Sequence, residues 1–506
     1  MKERMKWCAG AAVGALFTLA FLRMATMWRE WMLEDMIPVM RRLIYAGGMA
    51  LLVWVLGVMT LSYWKKWKTE RVFLLLFIPL SLTMMITTPI GRALDEVDHL
   101  QKIWQISVGD WMPTKANGGM FTQPDNMFEG MGDAVGLTLL EVYEQQDVEL
   151  HMDSLVQVEA KANTGIYPIH NYFPQALGMA IARLFTKNRL IIFYSARLGA
   201  WLVSVLLLYY AIRKTPAGKN AILLMSMMPI AMQELASASA DGMTIGFTAA
   251  FLALVLDLCR RRKRMTRAEC LTMFALTFCA CTFKLMYFPL AFLLFFIPDD
   301  CFGGKGRKRA TAGAMIGGTL AVCLGWMLLC QVNYAAMGNA HSVDVMSRIG
   351  LILRDPVRYA MTCLRTLMNQ ADEHVIQMVG AWLSCYNIPI PSGIYVGLIV
   401  VFCAAMTREH GLLDGEKRLQ VPMILLSGIC VFIIFTCLYV WWTPNGDPEI
   451  RGIQGRYYLP LVLPVVLSIK RTAKAEGQDG CLYGYALAAS LFAIGTLAIV
   501  LAYTIC

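Results

Sequence analysis

Apolar runs of about 20 residues, parted by short polar segments rich in Lys and Arg, recur along the whole chain. Coiled as α-helix, a run of that length matches the hydrocarbon core of a bilayer, so each reads as a membrane span. Hydropathy predicts about thirteen spans: Trp7–Met27, Leu43–Tyr63, Val72–Thr88, Leu190–Ile212, Ala221–Leu235, Met243–Leu258, Cys270–Phe283, Leu285–Ile297, Ala310–Gln331, Ile394–Met406, Val421–Trp441, Tyr457–Ile469 and Tyr483–Tyr503. Several are short, and the two meeting at Lys284 suit a tight hairpin. The first run follows a basic start and has the look of a signal peptide. No small-residue cleavage site follows it, so an uncleaved first helix is expected.

The polar segments test this reading. Counted from a cytoplasmic N-terminus, the inner loops are Lys65-Lys66-Trp67-Lys68, Arg213-Lys214 with Lys219, Arg260 to Arg264, Lys305 to Arg309, Arg408 with Lys417-Arg418, and Lys470-Arg471 with Lys474. Every strongly basic short loop falls on one side, as the positive-inside rule requires, and the C-terminus falls on the outer side. The expected fold is therefore an all-α polytopic transmembrane bundle in five parts. Residues 1–89 hold three spans, 90–188 an acidic outer segment with amphipathic helices, 189–331 the central spans, 332–391 a second outer segment, and 392–506 the C-terminal spans. The first outer segment has turn-rich parts (Asn117-Gly118-Gly119, Gln123-Pro124-Asp125-Asn126) and one polar stretch, near Val135 to Ala162, that reads as helical. In the second, Asp355-Pro356 opens an amphipathic helix with Val357, Met361, Leu364 and Met368 on one face. Arg354, Arg358 and Arg365 interrupt it, which suits a helix lying in the outer interface rather than a span.

Composition agrees. The 506 residues are 58% hydrophobic and 16% charged, with mean hydropathy +0.54, whereas a soluble domain is about a quarter charged. The net charge of +10 does not imply nucleic acid, because the cations sit in short inter-helix loops where they meet lipid headgroups. Most of the fifteen cysteines lie inside apolar runs, without metal-type spacing, and read as small buried hydrophobes.

Against this background the ionisable residues at the outer rim stand out. Asp95-Glu96-Val97-Asp98-His99 follows the third span directly, and charge that dense at a bilayer exit is costly to place. Asp95 and His99, four residues apart, share a face if the next turns are helical, with Glu96 close by. Tyr167 and His170 precede the fourth span, Asp241 lies between the fifth and sixth, and Lys284 breaks an apolar run. Arg451, Gln454, Arg456 and Tyr457 stand where the chain re-enters the membrane. Each has an ordinary alternative: a helix cap for Asp241, a snorkelling side chain for Lys284, a satisfied loop histidine for His170, an interfacial anchor for Arg456. Together, carboxylates opposite Lys and Arg at one membrane face suit a reaction between a lipid-borne phosphate and a hydroxyl. A carboxylate takes the hydroxyl proton and the cations hold the phosphate. Asp95, Glu96 and Asp98 could also ligate a divalent ion, although no metal or other cofactor is expected.

The stretch Pro89…Asp95-Glu96-Val97-Asp98-His99…Gln105-Ile106-Ser107-Val108-Gly109 resembles the DE-x-x-H signature of the bacterial membrane proteins of domain-of-unknown-function family 2142. Three further pieces resemble that family in the same order: Tyr167-Pro168 with Phe173-Pro174-Gln175-Ala176-Leu177-Gly178, then Ala238-Ser239-Ala240-Asp241-Gly242, then Gln454-Gly455-Arg456-Tyr457-Tyr458-Leu459-Pro460. Leu94 departs from the family, which commonly has Pro before the acidic pair. The family is similar in plan to the GT-C superfamily of membrane glycosyltransferases, which use polyprenyl-phosphate sugars and carry an acidic residue in an early outer loop. The resemblance implies Asp95 or Glu96 as base, with His99 orienting the acceptor and Arg456, Lys284 and Arg451 meeting the phosphate. Asp98, Tyr167, His170, Asp241, Gln454 and Tyr457 would line the substrates. The implied partners are a polyprenyl-phosphate-linked sugar, an envelope glycan acceptor and the bilayer. A flippase of lipid-linked saccharides, or a non-catalytic subunit of polysaccharide export, would share many of these features.

Overall fold

The computed structural model describes residues 2–27, 37–111, 120–131, 137–159, 162–331, 344–409, 411–412, 416–469 and 482–505. Among them, eight helices are long and apolar enough to cross a membrane: Arg4–Arg23, Pro38–Lys65, Thr69–Thr87, Arg189–Lys214, Ala240–Arg261, Lys305–Leu329, Lys417–Trp441 and Tyr483–Thr504. The shortest has 19 residues, which rise about 28 Å as α-helix. Three shorter apolar helices accompany them, Leu285–Phe296, Ser392–Arg408 and Gly455–Ile469. The chain is thus a helical membrane protein.

Two of the expected spans take less regular forms. Ala221–Leu235 is divided into helices Lys219–Ser226 and Pro229–Leu235. Pro229 has no N–H to continue the first helix, and its fixed φ suits the first turn of the second. The hairpin at Lys284 pairs helix Arg267–Thr282 with a 3₁₀-helix, Leu285–Phe296, of 12 residues. A 3₁₀-helix rises about 2 Å per residue, so it covers the same ~24 Å as the 16-residue α-helix beside it.

Arg189–Lys214 packs against Ala240–Arg261 and against helix Phe173–Arg183. The second contact is backbone on backbone. A Cβ on Gly178 would stand 2.2 Å from the Ser195 carbonyl oxygen, and one on Gly199 would stand 2.1 Å from that of Pro174. Small residues permit this approach, a common basis of helix association in lipid.

Two ends of the bundle differ in chemistry. At one, Lys214 and Arg261 meet Asp257 at 3.0 and 2.9 Å, and Arg261 also meets Glu269 at 2.6 Å. Arg260 pairs with Glu416 nearby. The N-terminal helix reaches this end, where Trp7 stacks on Tyr63 at 4.6 Å and Tyr483 donates to the Trp67 carbonyl at 2.8 Å. The C-terminal helix runs to the other end, where the Thr504 hydroxyl donates to the Thr87 carbonyl at 2.8 Å.

The first outer segment departs from expectation between Val135 and Ala162. Among the described residues before Ala162, only Leu139–Glu144 is helical there, opened by a capping box between Thr138 and Glu141. Leu155–Glu159 is instead a strand, antiparallel to Met120–Pro124. Val156 and Val158 favour a pleated pair over a helix. In the second outer segment, helix Pro356–Val379 begins as anticipated, with Asp355 accepting from the Arg358 amide at 2.9 Å. Val357, Met361, Leu364 and Met368 are exposed along it. The turn at 117–119 and the basic loop at 470–474 lie outside the described residues.

Candidate active site

Beyond helix Thr69–Thr87 the chain turns at Pro89–Leu94 and enters helix Glu96–Ser107 through Asp95, whose φ of 58° is left-handed. That conformation costs a residue with a side chain about 1–2 kcal/mol. It sends two adjacent carboxylates in different directions. Glu96 is 1% exposed. It accepts from Arg197 Nε and Nη2 at 2.7 and 2.5 Å, from the Gly91 amide at 2.9 Å and from the Ala238 amide at 3.1 Å. Asp95 keeps 46% of its side-chain surface open and lines a cavity. Of the two expected bases, Glu96 is enclosed and fully bonded, whereas Asp95 lines the cavity. Burial raises the Glu96 pKa most strongly, but the Arg197 charge together with the hydrogen bonds from Arg197, Ala238 and Gly91 outweighs it and holds the carboxyl below its ordinary value. Asp95 shows the same balance: its recessed position pushes its pKa up, and Arg456 brings it below the ordinary value.

Arg456 is the hub. Its Nη2 lies 2.5 Å from Asp95 Oδ2, its Nη1 3.1 Å from Glu234 Oε1, and its Nε 2.7 Å from Gln454 Oε1 and 3.3 Å from Asp241 Oδ2. Gly455 places it there. A Cβ on Gly455 would stand 2.2 Å from the Met378 amide nitrogen, so only glycine lets this turn pass helix Pro356–Val379. Asp241 also pairs with Lys284, which lies over the Tyr457 ring at 4.7 Å. The Asp241 backbone is capped by Ser239, whose hydroxyl accepts from the Asp241 amide at 3.0 Å. That leaves the carboxylate for the two cations. Three carboxylates thus converge on one guanidinium and one ammonium, all at the end of the bundle opposite the basic loops.

His99 lines the cavity and bonds through Nδ1 to the Tyr172 hydroxyl at 2.7 Å. Burial lowers its pKa to about 4, so the imidazole is neutral at ordinary pH. Tyr167, Asp241, Lys284, Gln454, Arg456 and Tyr457 line the same cavity. His170 does not. Its Nε2 bonds to the Thr282 hydroxyl at 2.6 Å and its ring packs on Phe278, one layer behind the wall. Arg451 is half-exposed, pairs with Asp447 at 2.7 Å and is also outside the lining, as is Asp98. Because Glu96 points at Arg197, the carboxylates of Asp95, Glu96 and Asp98 share no focus for a divalent ion. Among the described residues no group of three or more His, Cys, Asp or Glu is placed to hold a metal.

The cavity measures about 270 Å³. Val322, Trp326 and Met327 from Lys305–Leu329, with Leu438 and Trp441 from Lys417–Trp441, make an apolar wall facing the ionic cluster. Val322 is itself 45% exposed.

Sequence reasoning missed Glu234. It stands alone in the apolar run Met225–Leu235, and a lone carboxylate in such a run is itself a signal. Tyr172 and the tryptophans of the wall carried no comparable mark, because aromatic residues are ordinary in membrane helices.

Helices that cross a membrane around a buried ionic cluster define a polytopic membrane protein with a polar site at one end. The chain belongs to the family described as Predicted membrane protein (DUF2142), whose model matches residues 75–465. No curated protein and no solved structure matches the chain.

Proposed function

We propose that this protein is an integral-membrane glycosyltransferase of GT-C plan, with about thirteen membrane segments. It would move a sugar from a polyprenyl phosphate or diphosphate to an envelope glycan on the outer face. One observation carries the reading: Asp95 and Arg456 are 361 residues apart in sequence and in contact at the rim of a cavity whose other wall is apolar. A phosphate at Arg456 and Lys284 would leave its isoprenoid tail along Val322, Trp326 and Trp441, reached from the bilayer beside Val322. The acceptor hydroxyl attacks the anomeric carbon, its proton passes to Asp95, and the bond to the phosphate oxygen breaks with the electron pair leaving on phosphate. Arg456 and Lys284 stabilise that charge. Arg456 engages the carboxylate oxygen that Asp95 needs as a base, and an incoming phosphate competes for the same guanidinium. Donor binding thus frees the base. The basic loops at the far end support a reading with the cytoplasm on that side, the cavity outside and the N-terminus cytoplasmic.

Asp95→Asn in the native host should abolish transfer while protein level and membrane insertion stay normal. Mass spectrometry of envelope polysaccharide should show the same sugar missing as in a deletion strain. Full sugar content in Asp95→Asn removes Asp95 from the mechanism.

One observation favours a second reading, a carrier of lipid-linked saccharides. The interrupted segment 219–235 brings Glu234 into the site, and broken helices around a binding site are a habit of transporters. Movement of a lipid-linked saccharide across liposomes by purified protein, without sugar transfer, would decide for the carrier.

A further inference from the structure

Beside the cavity, a short hairpin pairs Trp382–Leu383 with Ile388–Pro389. Three consecutive non-glycine residues at its tip have left-handed φ: Ser384 at 51°, Cys385 at 55° and Tyr386 at 65°. Such a run persists only where surrounding contacts over-determine it, and strain of this kind gathers at binding sites.

Two anchors impose it. The Ser384 amide donates to Gln233 Oε1 at 3.0 Å, and Gln233 Nε2 returns a bond to the Ser384 hydroxyl at 3.0 Å, directly beside Glu234. The Cys385 sulfur lies 3.9 Å from the Ala93 carbonyl and meets the backbone amide of Asp95. The tip is therefore tied to two of the segments that carry carboxylates to Arg456, those of Asp95 and Glu234. Tyr386 is left with 40% of its surface exposed, under the charges of Arg456, Asp95, Glu234 and Glu373. Asn387 is exposed next to it. Gln377 donates to Glu373 at 2.9 Å and accepts from the Gly455 amide at 3.2 Å, joining this patch to the turn that holds Arg456.

We infer that this hairpin is the acceptor subsite, with Tyr386 the platform for a carbohydrate ring and Glu373, Gln377 and Asn387 its hydroxyl partners. A sugar offers an apolar C–H face to an aromatic ring and hydroxyls to carboxylates and amides, and the patch supplies both. A tyrosine that merely marks the lipid interface needs neither the left-handed run nor the two anchors. The sugar-transfer role rests on the transferase reading, whereas the binding surface stands without it.

Saturation-transfer NMR on the full-length protein in detergent tests the subsite, with the methyl glycosides of glucose, galactose, rhamnose and N-acetylglucosamine as probes. At least one should receive saturation, reduced about fivefold or more in Tyr386→Ala and kept in Tyr386→Phe, which retains the ring. Circular dichroism checks that the variants are folded. If the alanine variant is not, Tyr386→Leu takes its place, keeping bulk without an aromatic face. No signal from any glycoside, or equal signal with and without the ring, overturns the subsite. Ring-dependent binding in a protein that transfers no sugar would leave the subsite standing and remove the transferase reading.

Discussion

Asp95 and Glu96 are adjacent carboxylates with opposite duties, and the left-handed backbone at Asp95 separates them. Glu96 and Arg197 form an enclosed ion pair. Removing one partner leaves the other charge buried and uncompensated, at a cost of about 3–5 kcal/mol. Glu96→Gln should therefore lower the unfolding midpoint strongly while activity per folded molecule persists. Inactivity in the folded variant would return Glu96 to the chemistry. The sign of the pH effect follows from its depressed pKa. The pair's contribution is complete above the ordinary Glu value of 4.5 and fades as pH falls through the lower folded value. The stability gap between wild type and Glu96→Gln should thus narrow on acidification below that value, measured as melting temperature against pH. A gap that widens there would mean that the carboxyl is not depressed. Which neighbour turned inward was not legible in Asp95-Glu96, since both have the same chemistry and only the partner, 101 residues away for Glu96, distinguishes them.

Helix ends and breaks, rather than helix middles, build the site. Asp95 enters from the start of Glu96–Ser107, Asp241 from the start of Ala240–Arg261, Lys284 from the hairpin and Arg456 from the turn before Leu459–Ile469. Helix ends carry unpaired backbone groups and polar residues, so ionic clusters form there at least cost. The turn at Gly455 is the tightest of these junctions. Gly455→Ala should force the turn away from Gln377 and Met378, carry Arg456 off Asp95 and lower the transfer rate at least about tenfold. The variant should still insert and purify as wild type does. Wild-type turnover in it would mean that the close approach does not set the position of Arg456. The broken segment at Pro229 was legible as a short apolar run. That its second half supplies a third carboxylate was not, because an apolar run gives no sign of what its lone Glu will face.

The bundle separates a basic end from an ionic cavity at the opposite end, with the N-terminal helix reaching the first and the C-terminal helix the second. Alkaline phosphatase fused after Tyr503 should be active in the periplasm of a bacterial host, and a fusion at Gly303–Gly304, just before helix Lys305–Leu329, should be inactive. The reverse pattern would move the cavity to the cytoplasmic face and rule out an outer-face acceptor.

Hydropathy and charge determined by themselves that the chain crosses a bilayer, where most of its helices run, and that most of its charges gather outside the apolar runs. Those are local properties, set by the cost of burying polar groups in lipid. Tertiary structure alone decided which charges meet. Glu234 and Arg456 are 222 residues apart, and such a contact depends on how helices pack, through close approaches such as Gly178 on Ser195, which no single segment encodes.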